Sequence, residues 1–506
     1  MALLAPFGRE CPIYNSIFMQ TIDAFILYTQ PEQAKITVKA LKQSELIKTI
    51  YLLTPDETAT PVEGCEKIII DRLQSSQTIR KIAANSTADY TLVYQKPSIL
   101  KPGYFALERM MRIALDTRAG MVYADYFAIM DGKKKNNPLI DYQEGSLRDD
   151  FNFGSLLLYD ADALKEAATR MDENYEFAGL YDLRLKVSQH HPLVHINEYL
   201  YSEIEEDNRT SGEKIFDYVD PKNRQVQIEM EQACTQHLKE VGAYLAPQFE
   251  EIEFNANYFE REASVIIPVR NRIKTIRDAI TSVLQQKTSF PFNLIVIDNH
   301  STDGTTEAID EYKHDERLIH IIPERDDLGI GGCWNLGVHH PQCGKFSVQL
   351  DSDDLYSGED TLQKIVDAFY EQQCAMVVGT YRMTNFHLEE IPPGIINHRE
   401  WTPHNGRNNA LRINGLGAPR AFYTPVLRDI KLPNTSYGED YALGLAISRR
   451  YRIGRIYDLL YLCRRWEENS DASLDIVKMN AHNLYKDRIR TWELQARKQL
   501  TSEKGK

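Results

Sequence analysis

Val348-Gln349-Leu350-Asp351-Ser352-Asp353-Asp354 is an apolar run that ends in three carboxylates within four residues. Preceded by Phe346 and Ser347, it reads as a strand buried on both faces of a sheet. Like charges gathered at a strand end cost free energy unless a cation or a set of donors holds them. Two or three oxygens from the cluster, with phosphate oxygens and water, would make an octahedral Mg²⁺ or Mn²⁺ site. A polar surface turn would use the same residues, and Asp-x-Asp alone does not decide between the two. The flanking sequence does.

Upstream, Ala263–Pro268 and Phe292–Ile297 read as strands, separated by a helix over 273–286. A further strand, 318–322, and a helix over 333–340 precede the acid run. Alternating strands and helices predict a mostly parallel sheet covered on both faces. The same alternation occurs earlier, with strands at 23–28, 49–53, 67–70 and 90–94 and helices at 31–46 and 77–84. The two series align with an offset of about 240 residues at the first strand and about 260 near the end. Ala88–Tyr94 falls on Gly344–Leu350, and Tyr181–Ser188 on Tyr441–Ser448. This predicts duplication of a whole domain. The expected organisation is a first copy over 1–206, a helical linker over 207–262, a second copy over 263–470, and a final helix and tail over 471–506. Within the linker, Asp220-Pro221 marks a helix start.

The chain has 506 residues, too many for one core, and a net charge of −14. That charge argues against a nucleic-acid partner. An anionic ligand would need a local cation, which the acid run can supply by binding metal. Seven cysteines without a Cys-x-x-Cys predict neither a disulfide framework nor a zinc site. Met1–Phe7 is apolar but lacks a basic flank, so no signal peptide is read. No apolar run approaches the roughly 18 residues of a membrane span. The expected location is cytoplasmic, with any membrane contact peripheral at the inner face. The stripes Val226–Val241 and Leu474–Trp492 are read as packing or dimer helices, which leaves a homo-oligomer open, and the Lys/Arg-rich tail is the candidate membrane contact.

Three further stretches carry chemistry. Asp298-Asn299 closes a strand where open α/β sheets bind ligands, and can accept hydrogen bonds from a base or ribose. Gly329-Ile330-Gly331-Gly332 opens a helix whose amides could approach a diphosphate. Glu439-Asp440 opens an apolar helix; a carboxylate set apart from the metal can take a proton from an attacking hydroxyl. Gly415-Leu416-Gly417 could admit an acceptor, and Arg464-Arg465-Trp466 could steady phosphate charge. His398, Trp401 and His404 are candidates to line the acceptor side.

In this order and spacing, ASVIIPVRN, IDNHSTDGT, GIGGCWN, LDSDD and GED resemble the family 2 glycosyltransferases of the GT-A fold over Ala263–Ser470. The resemblance implies two tandem α/β Rossmann-like domains, the second an inverting transferase that uses a nucleotide-diphosphate sugar and Mn²⁺ or Mg²⁺. It implies donor contacts from Pro268, Arg270, Asn271, Asp298, Asn299, Gly331, Asn335, Asp351 and Ser352. It implies metal at Asp351 and Asp353 with Asp354 adjacent, a base at Asp440, and acceptor positioning by Glu439. Gly415, Gly417, Arg465 and Trp466 would face a glycan or lipid-linked glycan acceptor. Asn299 stands where many members carry a second Asp, which leaves UDP favoured but not fixed. Leu462 replaces the Gln of a Gln-x-x-Arg-Trp motif, so a processive synthase is not expected. The first copy has Gln95-Lys96-Pro97-Ser98 in place of the acid run and Gly179-Leu180 in place of Glu439-Asp440, and is expected to be inactive. The rival readings are a nucleotidyltransferase that makes nucleotide sugars and a non-catalytic glycan- or nucleotide-binding scaffold.

Overall fold

The computed structural model of the chain describes residues 20–130, 132–204, 224–254, 258–399, 401–467, 469 and 474–504. The apolar start Met1–Phe7 and the helix start at Asp220-Pro221 lie outside these residues. The chain divides into two compact units, residues 1–208 with 228–237 and residues 209–227 with 238–506. The segment expected as a linker is therefore shared between the units. In the first, Glu229 accepts hydrogen bonds from the amides of Phe177 and Ala178 at 2.7 and 3.2 Å. In the second, the Asn408 carboxamide binds the backbone of Leu245 through both its oxygen and its nitrogen.

The first unit contains β1 (Ile22–Leu27), β2 (Ile47–Thr54), β3 (Glu66–Ile69), β4 (Tyr90–Tyr94), β5 (Leu100–Pro102), β6 (Met121–Met130), β7 (Lys133–Asn137), β8 (Leu156–Asp160) and β9 (Leu193–Ile204). The second contains β10 (Ala263–Val269), β11 (Phe292–Asp298), β12 (Leu318–Ile321), β13 (Phe346–Gln349), β14 (Leu355–Tyr356), β15 (Met376–Thr384), β16 (Glu390–Ile396), β17 (Arg420–Tyr423) and β18 (Ile453–Arg464). The first sheet runs β3-β2-β1-β4-β8-β6-β9-β5 with β7 on β6; the second runs β12-β11-β10-β13-β17-β15-β18-β14 with β16 on β15. The two orders are identical strand for strand, and both units are α/β. This is the duplication anticipated from sequence, and the first unit is its degenerate copy. The sheets are mixed rather than mostly parallel. In the second, β12, β11, β10 and β13 are parallel, and β17 enters antiparallel beside β13.

Central strands such as β10 and β11 are buried along almost their whole length, as near-continuous apolar runs should be. The helix after β10 covers Ile276–Leu284, not 273–286, and buries Ile276, Ala279, Ile280 and Val283 at helical spacing. Its expected first turn is instead tied to the next loop, where the Asp303 carboxylate accepts from the Ile273 amide at 3.1 Å. The helix from Pro31 stops at Leu41 rather than Leu46, and Ile47 already pairs with Ile22 in the sheet. The final helix, expected within 471–506, runs Ile476–Lys504. Among the described residues no helix is long and apolar enough to cross a membrane.

Candidate active site

Four of the parallel strands end on one side of the second sheet, where backbone groups and loop side chains collect. There the loops after β10, β11 and β13 and the start of the helix Glu439–Arg450 enclose a cavity of about 530 Å³. Of the residues expected at the site, Pro268, Arg270, Asn299, Asp351, Ser352, Asp353, Asp354, Glu439, Asp440 and Arg465 line it.

The acid loop is held by backbone and side-chain bonds. The Asp351 amide donates to the Tyr461 hydroxyl at 3.1 Å, and Gln349 Nε2 donates to Asp351 Oδ1 at 2.9 Å. Asp354 Oδ1 accepts from the Arg464 amide at 2.7 Å. Asp353 Oδ2 accepts from Trp466 Nε1 at 3.2 Å and Asn469 Nδ2 at 3.0 Å. Burial pushes the Asp351 carboxyl up, with Asp353 and Asp440 adding to it against Arg420 and Gln349. Asp354 is pushed well up by burial and by Asp353 and Asp351. Such a donor set fits a hard divalent cation, which would relieve this repulsion. Among the described residues no three carboxylate, imidazole or thiol groups converge to hold an ion alone, so a bound ion would also need phosphate or water oxygens.

Glu439 and Asp440 diverge. Burial and the neighbouring Asp440 push Glu439 up to about 8. Asp440 is half-buried, and the desolvation that opposes its charge is outweighed by Arg420 and Lys486, which bring its carboxyl below the ordinary value. Arg420 Nη1 stands 2.6 Å from Asp440 Oδ2. Two adjacent acids thus hold opposite protonation states near neutral pH, which is how a site separates a proton acceptor from a neutral hydrogen-bonding partner.

Several expected residues lie elsewhere. Asp298 is wholly buried: Oδ1 accepts from the Ser301 amide at 3.0 Å and Oδ2 from Thr306 Oγ1 at 2.5 Å. Burial opposes its ionisation, but the His320 ring 3.6 Å away and the hydrogen bonds from Ser301 and Thr306 keep it well below the usual carboxylate range. These bonds brace the loop, and Asp298 is not among the residues that line the cavity. Asn271 staples the same loops, taking the Thr302 amide on Oδ1 at 2.8 Å. Gly331 faces the chain, not the cavity: a Cβ there would stand 1.9 Å from the Pro433 carbonyl. The amides at the start of the helix Ile330–Val338 are already used, since Gly329, Ile330 and Gly331 donate to Asn434 Oδ1, Ser436 Oγ and the Thr435 carbonyl. The expected diphosphate cradle is filled by the protein's own 433–436 segment. Asn335 pins the same segment through both bonds to the Leu432 backbone. Gly415 and Gly417 do not line the cavity; the Gly417 amide donates to His398 Nε2 at 3.1 Å. Trp401 packs on Gly406, and His404 is likewise outside the lining. Trp466 stands behind the wall, against Asp353 and Phe386.

Among the described residues, three buried side-chain oxygens in the lining lack a partner: Asn299 Oδ1, Gln349 Oε1 and Glu439 Oε2. Asn299 Nδ2 donates to the Leu328 carbonyl at 2.8 Å, which fixes the amide with its oxygen left over. Orphaned acceptors of this kind are costly unless a ligand donates to them. Sequence reading missed Arg420, Lys486 and Gln349. Gln349 sits inside the apolar run and could have been noticed there; the other two come from segments without a motif.

In the first unit the equivalent place is filled. By strand register Lys96 stands where Ser352 does, and Glu203 where Cys463 does. Lys96 Nζ pairs with the buried Glu203 carboxylate, which also accepts from Ser155 Oγ. Leu157 takes the place of Arg420.

Residues 264–425 match the family described as glycosyl transferase family 2. A relative named for teichuronic acid biosynthesis, the glycosyltransferase TuaG of Bacillus subtilis, is 32% identical over 121 residues, 24% of this chain and 46% of that protein. The poly(ribitol-phosphate) beta-N-acetylglucosaminyltransferase TarS of Staphylococcus aureus is 28% identical over 169 residues, 33% of this chain and 28% of that one. The chain thus spans less than half the length of either relative. Among solved structures, S. aureus TarS 1-349 in complex with UDP-GlcNAc aligns at 23% identity and a TM-score of 0.36, covering 47% of this chain and 72% of that one.

Proposed function

With residues 264–425 forming a glycosyl transferase family 2 domain, we propose that this protein is an inverting glycosyltransferase that moves a sugar from a nucleotide diphosphate to a hydroxyl of a glycan or lipid-linked glycan. The observation that carries the proposal is the meeting of the acid loop, the split pair Glu439–Asp440 and three partnerless acceptors in one cavity. Asp351, Asp353 and Asp354 would hold Mn²⁺ or Mg²⁺ together with the donor's phosphates. Such an ion supplies Lewis-acid stabilisation of the departing diphosphate. The protein's own residues do the rest. Asn299 Oδ1 accepts from the base; uracil presents an N–H there and cytosine a bare ring nitrogen, which disfavours a cytidine nucleotide and leaves UDP the first donor to try. Glu439, protonated at neutral pH, orients the acceptor hydroxyl through a hydrogen bond. Asp440, ionised, takes the proton of that hydroxyl as its oxygen attacks the anomeric carbon and the diphosphate leaves from the opposite face. Alignment of the two reactants is the larger part of the rate gain.

The first unit takes no part in this chemistry. Because TuaG is named for teichuronic acid biosynthesis and TarS for poly(ribitol-phosphate), polymers of those kinds are the acceptors to try first. The proposal is tested by thermal shift with UDP, GDP, CMP and dTDP, each with Mn²⁺ and with EDTA. A ligand that binds only the folded state raises its melting temperature. UDP with Mn²⁺ should raise it and EDTA should cancel the rise. No shift with any nucleotide would favour the non-catalytic scaffold, and pyrophosphate release from a nucleoside triphosphate would favour the nucleotidyltransferase.

A further inference from the structure

The long helix Ile476–Lys504 lies beyond the matched segment, yet it supplies a wall of the cavity through Lys486. Lys486 Nζ donates to the Asn414 carbonyl at 2.7 Å and stands 4.6 Å from the centroid of the Tyr437 ring. Tyr437 in turn stacks on His482 of the same helix, centroids 3.8 Å apart. One turn further on, Arg490 Nε donates to the Tyr441 hydroxyl at 2.9 Å, and its Nη2 reaches the Ile413 carbonyl and Asn414 Oδ1. Arg490 and its ion-pair partner Asp487 are both fully buried. The helix therefore clamps Gly438-Glu439-Asp440 from both flanks, through Tyr437 before it and Tyr441 after it. Gly438 is itself in the left-handed region at φ 76° and packs against Tyr485 and Ile489.

The Lys486 ammonium also stands 5.6 Å from the centroid of the Tyr441 ring, so it sits between the two tyrosines that bracket Asp440, with one carbonyl as its hydrogen-bond acceptor. The charged groups around Asp440 are Arg420 on β17, Glu439 on its own helix, Lys486, and Asp351 on the acid loop. Those around Lys486 are Asp440, Glu439, Arg490 and Arg420, with His482 a turn earlier. We propose that Lys486 is a positioning residue of the transfer reaction: with Arg420 it keeps Asp440 a carboxylate beside the acceptor hydroxyl, and the helix Ile476–Lys504 is thereby part of the active site. This rests on Asp440 being the base. Burial brings the Lys486 ammonium down to about 8, and the Asp440 charge opposes that fall.

The test uses the full chain. Competitive acetylation followed by peptide mass spectrometry, over pH 6 to 11, reads the titration of Lys486 without any substrate. Asp440→Asn should lower that titration midpoint by about one unit; an unchanged midpoint would overturn the inference. In parallel, release of UDP from the UDP-sugar that binds best is followed against pH. Lys486→Met should move the acid limb of the profile up by about one unit, because the carboxylate loses a favourable cation, and Lys486→Arg should restore it. A Lys486→Met protein that melts normally with an unmoved acid limb would also overturn the inference. Normal turnover by Asp440→Asn would instead sink the base assignment beneath it, an outcome the labelling result does not depend on.

Discussion

Glu439 and Asp440 are consecutive, chemically alike, and oppositely tuned. For Asp440 the consequence is kinetic. Asp440→Asn keeps the shape and the neighbours but cannot take a proton, so turnover should fall by about 10²–10⁴-fold while UDP–Mn²⁺ binding stays within about threefold. Single-turnover kinetics and calorimetry on one preparation check both halves. For Glu439 the consequence is thermodynamic. Its folded pKa of about 8 lies above the ordinary carboxyl value, so the folded state holds a proton that the unfolded chain has released. Stability from this group is therefore present at low pH and is lost as pH rises from about 4.5 to 8. Glu439→Gln should remove that slope and raise the melting temperature at pH 8 by on the order of 5 °C. A melting temperature that responds to pH as the parent's does would rule the assignment out. At this scale the acid loop and the Glu439-Asp440 pair were legible in the sequence, because they are runs of charge where a helix or strand should be apolar or capped. Asp298 was misread. A strand-end acid looks the same whether its carboxylate meets a ligand or the amide three residues on, and only the path of the Ser301–Thr306 turn distinguishes them.

The helix Ile330–Val338 shows how far an element can be read locally. Its glycines and its position were visible, but what meets its N-terminus was not, because that partner lies about 100 residues downstream. Gly331 is required by the approach of the Pro433 carbonyl. Gly331→Ala should push the 433–436 segment away and lower stability by about 2–4 kcal/mol, with nucleotide affinity falling only as far as the fold loosens. Denaturant unfolding with and without UDP–Mn²⁺ separates the two effects. The eight strands read from sequence, β1–β4 and β10–β13, were placed to within about two residues, since buried strands announce themselves as apolar runs; β5–β9 and β14–β18 were not read. The helix ends were not, because the residues at 42–46 and 273–275 serve turns, loop contacts and sheet register instead. The helix Ile476–Lys504 was anticipated as a packing helix; its Lys486 could not be, since a lysine on a charged helix carries no mark of what it faces.

The duplicated sheet order gives the molecule two copies of one architecture with unequal contents. The expected stoichiometry of UDP–Mn²⁺ is one per chain, and Asp353→Asn should abolish metal-dependent binding altogether; titration calorimetry that found two sites would contradict the reading of the first unit. The repeat itself was legible because apolar patterning survives when side-chain chemistry does not. The mixed character of the sheets was not, since strand direction leaves little trace in composition. Lys96 and Glu203 carry a historical consequence. Where the second copy gathers acids, the first has a tethered ammonium closed onto a buried carboxylate. Reversion by single steps would pass through chains with an unpaired buried charge, because Lys96, Glu203 and Leu157 would have to change in concert with Gln95, Pro97 and Leu180. Where the proposed site of the second copy would hold a diffusible ion, the first carries its cation on the chain, so losing Lys96 alone would leave the buried Glu203 carboxylate without its partner.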